Sequence, residues 1–104
     1  MIVFCTVPDN TVAQEISRIL VMEALCACVN TIPKITSYYI YEGEFCEDTE
    51  VLLLIKTDSS HFKALEQRIK EVHPYDLPEI IATPICEASS EYKNWLLNSL
   101  SSIK

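Results

Sequence analysis

The chain has 104 residues, 49% of them hydrophobic and 22% charged, and carries a net charge of −7. That length fits one compact domain over residues 1–104, and the composition excludes a globally disordered chain. The negative balance, with no lysine or arginine cluster to offset it, argues against binding nucleic acid or an anionic membrane surface.

Ile2 to Val7 is a continuous apolar run ended by Pro8, which suits a buried central strand. Asp9, Asn10 and Thr11 follow as cap candidates, and Thr11 with Gln14 has capping-box spacing. Val12, Ile16, Ile19 and Leu20 recur at helical spacing, and the helix is expected to end near Cys26. Cys28 to Tyr41 reads as a long strand with a bulge or bend at Pro33-Lys34. Glu42-Gly43-Glu44 is the turn, and Cys46 to Thr57 returns as the partner strand. Asp58, Ser59 and Ser60 open a second helix whose Phe62, Leu65, Ile69 and Val72 form a core-facing stripe. His73-Pro74 ends it, because proline disfavours the helical state of its predecessor. Glu79 to Cys86 is a last strand, and Ser89 to Leu100 a terminal helix with Tyr92, Trp95, Leu96 and Leu100 on one side.

The order β-α-β-β-α-β plus a final helix is the split βαβ, or ferredoxin-like, pattern of an α+β domain with a long second hairpin. Right-handed crossovers set the strand order at 4-1-3-2, with the apolar first and third strands central. Val51, Leu53 and Ile55 then face one way and Leu52 and Leu54 the other. Helices on one side cover only one of these faces. The hairpin arms, at ~3.3 Å per residue, span ~40–45 Å, more than the ~34 Å width of a globule of this size. Both features predict self-assembly, and neither selects a dimer over a trimer.

The segment from Met1 to Pro8 has no basic n-region, and no stretch reaches the ~20 apolar residues of a membrane span, so a cytoplasmic location is expected. Cys5, Cys26, Cys28, Cys46 and Cys86 make an odd set, which speaks for free, mostly buried thiols.

Several segments together resemble one family. Cys5-Thr6-Val7-Pro8 looks like its first-strand signature, and Leu25 to Ile32 like its ACVN-x-I-P segment. Ser37-x-Tyr39-x-Tyr41-x-Gly43 is similar to its hairpin signature, His73-Pro74-Tyr75-Asp76-Leu77-Pro78-Glu79 to its H-P-Y-x-x-P-E signature, and Tyr92-x-x-Trp95-Leu96 to its terminal helix. In this order they resemble the CutA divalent-cation-tolerance family. The resemblance implies a homotrimer of ferredoxin-like subunits similar to nitrogen-regulatory PII proteins, a link to divalent-cation tolerance, and copper binding as in some members. Two positions depart from the pattern. Tyr41 stands where many members carry Trp, and Val72 stands where a copper-binding relative has a second His before His73.

The topology carries His73, at the end of the second helix, towards the carboxyl end of the first strand and Cys5. The start of the first helix lies there too, and its dipole favours a thiolate. Thiolate plus imidazole suits copper or another divalent cation such as zinc, with Glu79 or a neighbouring subunit completing the set. The same pair also reads as a buried strand cysteine beside a helix-ending histidine. Cys26-Ala27-Cys28 offers a weak soft-metal pair. Glu42, Glu44, Glu47, Asp48 and Glu50 read as a charged hairpin end that blocks edge pairing. Tyr75, between two prolines, is a candidate binding residue with Glu79, while Tyr92 and Trp95 read as packing. His61 and His73 are the only histidines and Gly43 the only glycine, so neither a Ser/His/Asp set nor a phosphate loop is visible, and an enzyme is not expected. Three roles fit: a metal-tolerance trimer, a PII-like module binding a small ligand at subunit clefts, and a structural scaffold.

Overall fold

β1 (Ile2–Val7) turns Val3, Cys5 and Val7 inward, each 0% exposed, and leaves Ile2, Phe4 and Thr6 half-buried on the other face. This is how it lies in the computed structural model, which describes residues 1–101. α1 (Asn10–Met22) follows, capped by the Asp9 carboxylate, which accepts from the Val12 N–H at 2.9 Å. Thr11 lies two residues past that cap, inside the helix. The helix also stops earlier than its apolar spacing suggests. Ala24 takes a left-handed φ of 57°, its N–H reaches Val21 O, and the Leu25 N–H reaches Leu20 O. Those two bonds are a Schellman stop, here built on alanine where glycine is usual.

β2 (Cys28–Tyr41) and β3 (Glu44–Lys56) form the long hairpin. Glu42 (φ 52°) and Gly43 (φ 82°) make a two-residue turn with both φ angles positive, so the strands pair up to Tyr41↔Glu44. The register jumps from Ile32↔Leu52 to Ile35↔Glu50. One extra residue lies on β2 there, at Lys34 with φ 60°, which is the bulge expected at Pro33-Lys34.

Asp58 accepts from the His61 N–H at the head of a short 3-10 turn, which runs into α2 (Phe62–Val72). Leu65 and Ile69 are 0% exposed, with Phe62 and Val72 packed at the edge of the core. β4 is only Ile81–Thr83, shorter than Glu79 to Cys86. It pairs with β1 from Ile2↔Thr83 to Phe4↔Ile81, and Pro84, lacking an N–H, stops the ladder. α3 (Ser90–Leu100) begins on the Ser89 cap. Only Leu96 and Leu100 of its expected apolar side are buried, with Ala27. Tyr92 and Trp95 stay 41% and 47% exposed, their rings in tilted contact at 5.3 Å.

The sheet order is β2-β3-β1-β4, all antiparallel. α1 and α2 cover the face of Val3, Cys5, Val7, Val51, Leu53 and Ile55, and Ala13, Ile16 and Leu20 complete the core. On the opposite face Ile2, Phe4, Leu52 and Leu54 are half-buried. The hairpin draws the molecule out to 45 × 28 × 21 Å, as its arm length requires. Its far end exposes Tyr38, Ile40 and Phe45 by about two-thirds, with the Tyr38 and Phe45 rings stacked.

Because Leu65 and Ile69 fill the centre of the covered face, truncating either to Ala is expected to cost ~2–5 kcal/mol. Urea unfolding measures it. A loss below about 1 kcal/mol would mean that the α2 stripe is not the core-filling face.

Candidate functional site

α2 ends where Pro74 forces His73 into an extended conformation (φ −80°, ψ 138°) while its N–H still closes on Ile69 O. The ring then lies against the end of β1, as the topology predicts. His73 Nε2 is 2.8 Å from Thr6 O, and Nδ1 accepts from the Tyr75 N–H at 3.1 Å. A carbonyl accepts and an amide donates, so this pattern selects the neutral tautomer with its proton on Nε2. The two bonds fold the loop back, and the Tyr75 ring packs on the imidazole at 4.7 Å. From there the Tyr75 hydroxyl donates to Glu50 Oε2 at 2.6 Å. Burial, then the Glu50 carboxylate, holds this phenol well above its ordinary range. Glu50 is 6% exposed. It belongs not to the charged hairpin end but to its inner part, opposite Ile35 at the bulge. Further out, the Tyr39 hydroxyl donates to Asp48.

Cys5 is wholly buried on the helix side of β1, its thiol directed at Thr6 O 3.9 Å away. Burial pushes the thiol up to about 12, and the Glu79 and Glu50 carboxylates add to the rise, so the α1 dipole leaves no thiolate here. Cys5, His73, Tyr75 and Glu79 therefore gather around one end of β1, but their chemistry does not fit a metal ion. Cys5 is wholly buried on the helix side of β1, both imidazole nitrogens have partners, and among the described residues no group of three or more His, Cys, Asp or Glu converges.

The other cysteines are not bonded to one another. Cys26 is buried before β2 and also pushed up to about 12, by burial first. Cys28 and Cys46 are half-buried and Cys86 is exposed, so fewer thiols are buried than the composition suggests. One cluster escaped the sequence reading. The Asp58 carboxylate meets His61 Nδ1 at 2.6 Å and accepts from the Ser60 hydroxyl at 2.9 Å, and that hydroxyl also lies 3.2 Å from Nδ1. A proton relay needs its two partners on different ring nitrogens. Here both sit on Nδ1, and the cluster closes the entrance to α2.

Beside the Tyr75–Glu50 bond a groove of about 710 Å³ runs along the open sheet face, between the hairpin and the loop over residues 75–79. Thr6, Ser37, Tyr39, Tyr41 and Glu50 form its floor and wall, and Tyr75, Asp76, Leu77 and Glu79 its rim.

A 4-1-3-2 antiparallel sheet with α1 and α2 on one face, a projecting hairpin and this latched loop define a ferredoxin-like α+β domain. Residues 1–99 match the family described as CutA1 divalent ion tolerance protein. The chain is 50% identical over 95 residues to the divalent-cation tolerance protein CutA of Thermus thermophilus, spanning 91% of this chain and 92% of that one. It is 46% identical over 93 residues to protein CutA of Homo sapiens, spanning 89% of this chain but only 52% of the human one. It superposes on the crystal structure of CutA from Xylella fastidiosa with a TM-score of 0.93 and 39% identity, over 96% of each chain. The chain belongs to the CutA divalent-cation-tolerance family.

The two buried thiols set a pH dependence. Their ordinary value is 9.0 and their folded value about 12, so folding favours the neutral form. Their contribution to stability is complete below pH 9 and is lost as pH climbs towards 12. Urea unfolding of wild type should show this loss between pH 8 and pH 11, and a Cys5→Ala, Cys26→Ala double variant should show a shallower one. Parallel profiles would contradict the buried, neutral thiols.

Proposed function

We propose that the chain acts in divalent-cation tolerance as a cytoplasmic, non-catalytic homotrimer, assembled through the open sheet face and the projecting hairpins. The observation that carries this is the half-buried apolar row Ile2, Phe4, Leu52 and Leu54 on the face that α1 and α2 leave open, together with a hairpin whose far end exposes Tyr38, Ile40 and Phe45 on its other side. Such surface on a single chain marks an association face. The two sheet edges, β2 and β4, also leave backbone groups for a neighbour to pair. A β2-to-β4 contact between copies joins unlike surfaces, the kind of contact that makes a three-fold ring where the rotation closes. The tolerance role is supported by relatives that carry it in their names, the Thermus thermophilus protein among them. Five cysteines without a disulfide support a reducing compartment.

In this reading copper or another divalent cation is not held by Cys5 and His73, since both His73 nitrogens are hydrogen-bonded and Cys5 is wholly buried on the helix side. If that is right, calorimetric copper titration gives the same stoichiometry and affinity for Cys5→Ser as for wild type; loss of a site would restore Cys5 as a ligand. The assembly is tested at Ile40, 67% exposed at the hairpin end. Ile40→Glu should shift the light-scattering mass from three chains towards one while helical circular dichroism is kept. An unchanged trimer mass would remove the hairpin from the interface.

A further inference from the structure

His73 is 8% exposed and makes two hydrogen bonds that a neutral imidazole alone can make together. We propose that it is a pH-sensitive latch: a proton on Nδ1 expels the Tyr75 amide and releases the loop over residues 74–78 from the end of β1.

The first argument is where the ring's protons sit. Nε2 faces the Thr6 carbonyl at 2.8 Å, so it carries a hydrogen. Nδ1 faces the Tyr75 N–H at 3.1 Å, so it offers a lone pair. Imidazolium has a hydrogen on each nitrogen and no lone pair. Acid therefore sets two N–H groups against each other at Tyr75. Turning the ring over does not help, because either way round it presents two donors to one acceptor and one donor. The Tyr75 ring, in tilted contact with the imidazole at 4.7 Å, gains from the added charge, but less than an amide loses when its acceptor becomes a donor.

The second argument is how little else holds the loop. Pro74 and Pro78 have no N–H to bond. Among the described residues the hydrogen bonds that fasten residues 74–78 are both made by Tyr75, to His73 and to Glu50. Leu77, the one aliphatic side chain between the prolines, is 77% exposed and anchors nothing. Losing the bond to His73 leaves the loop on the phenol alone.

The surroundings accept the new charge. The titratable groups of the neighbouring elements are Cys5 on β1, Glu50 on β3, and Tyr75, Asp76 and Glu79 in and after the loop. Asp9 is engaged as the cap of α1, and on α2 itself Lys70 is paired with Glu66 and Glu71 with Arg68. An imidazolium at His73 thus has carboxylates about it and no unpaired cation among these groups. A proton, unlike a ligand, needs no open groove to reach the ring. Every bond named lies within one chain, so the inference stands apart from the tolerance role and the assembly.

The test is nitrogen-15 NMR of the full chain with EDTA present, following the His73 ring nitrogens and the Tyr75 amide from about pH 7.5 to about pH 5. The upper end should show the tautomer protonated at Nε2. As the ring takes its second proton, Tyr75 amide exchange, corrected for its intrinsic pH dependence, should rise at least about tenfold, while the Leu65 and Ile69 amides keep their protection. His73→Gln, whose side chain offers a donor and an acceptor at every pH, should abolish the Tyr75 response, and His61→Gln should keep it. Should His73→Gln fail to fold, the ring and amide titrations recorded together in His61→Gln still decide, because His73 is then the one histidine present. A ring that stays neutral at about pH 5, an imidazolium that forms with the Tyr75 amide still protected, or a Tyr75 response that survives in His73→Gln would each overturn the proposal.

Discussion

The sheet has two apolar faces, and α1 and α2 cover only one of them. Val3, Cys5 and Val7 with Val51, Leu53 and Ile55 lie under α1 and α2 and are almost fully hidden. Their strand neighbours Ile2, Phe4, Leu52 and Leu54 are as apolar, and they meet no helix of comparable cover. At about 25 cal/mol per Å² of apolar area, leaving such a row against water forgoes stabilisation that a second surface can recover. The hairpin compounds the effect. It runs past the helices, so at its far end both faces are uncovered, and Tyr38, Ile40 and Phe45 protrude on the side the helices would have reached. The proposed assembly would answer this one-sided cover, and the projecting hairpin draws the single chain out to 45 Å.

The second constraint is local. Pro74 ends α2 and leaves His73 extended, and the imidazole then ties three parts of the chain together: the carbonyl of Thr6 on β1, the amide of Tyr75 in the loop and, through Tyr75, the Glu50 carboxylate on β3. The same bonds that build the groove use up the histidine as a donor. Cys5, one residue from Thr6, faces the core with its thiol neutral. A thiol and an imidazole that converge by topology thus serve packing and loop placement. The chemistry that the groove offers comes from tyrosines and carboxylates.

Much of this was legible in the sequence because it depends on periodicity and on residues with stiff backbones. The apolar runs located β1 and β3, the spacing of Leu65 and Ile69 oriented α2, and Pro33 and Pro74 marked the bulge and the helix end. The errors fall where tertiary bonds override local signals. α1 stops on an alanine in a left-handed conformation, with no glycine to announce it. β4 is cut short by Pro84 and has β1 alone as its partner. Tyr92 and Trp95 share a helical spacing with Leu96 but not its burial, because α3 touches the domain through a narrow face. At the site, the convergence of His73 on β1 followed from topology, whereas the role of Glu50 did not. Five acidic residues near one turn look alike in sequence, and only the shift in register at Lys34 sets Glu50 opposite Ile35 and under Tyr75.

Sedimentation equilibrium of the wild-type chain at micromolar concentration tests the one-sided cover most directly. The account predicts a single species of three times the 11.8 kDa chain mass, with no folded monomer on dilution. A monomer that keeps its cooperative unfolding would contradict it, for the open face would then be stable against water by itself.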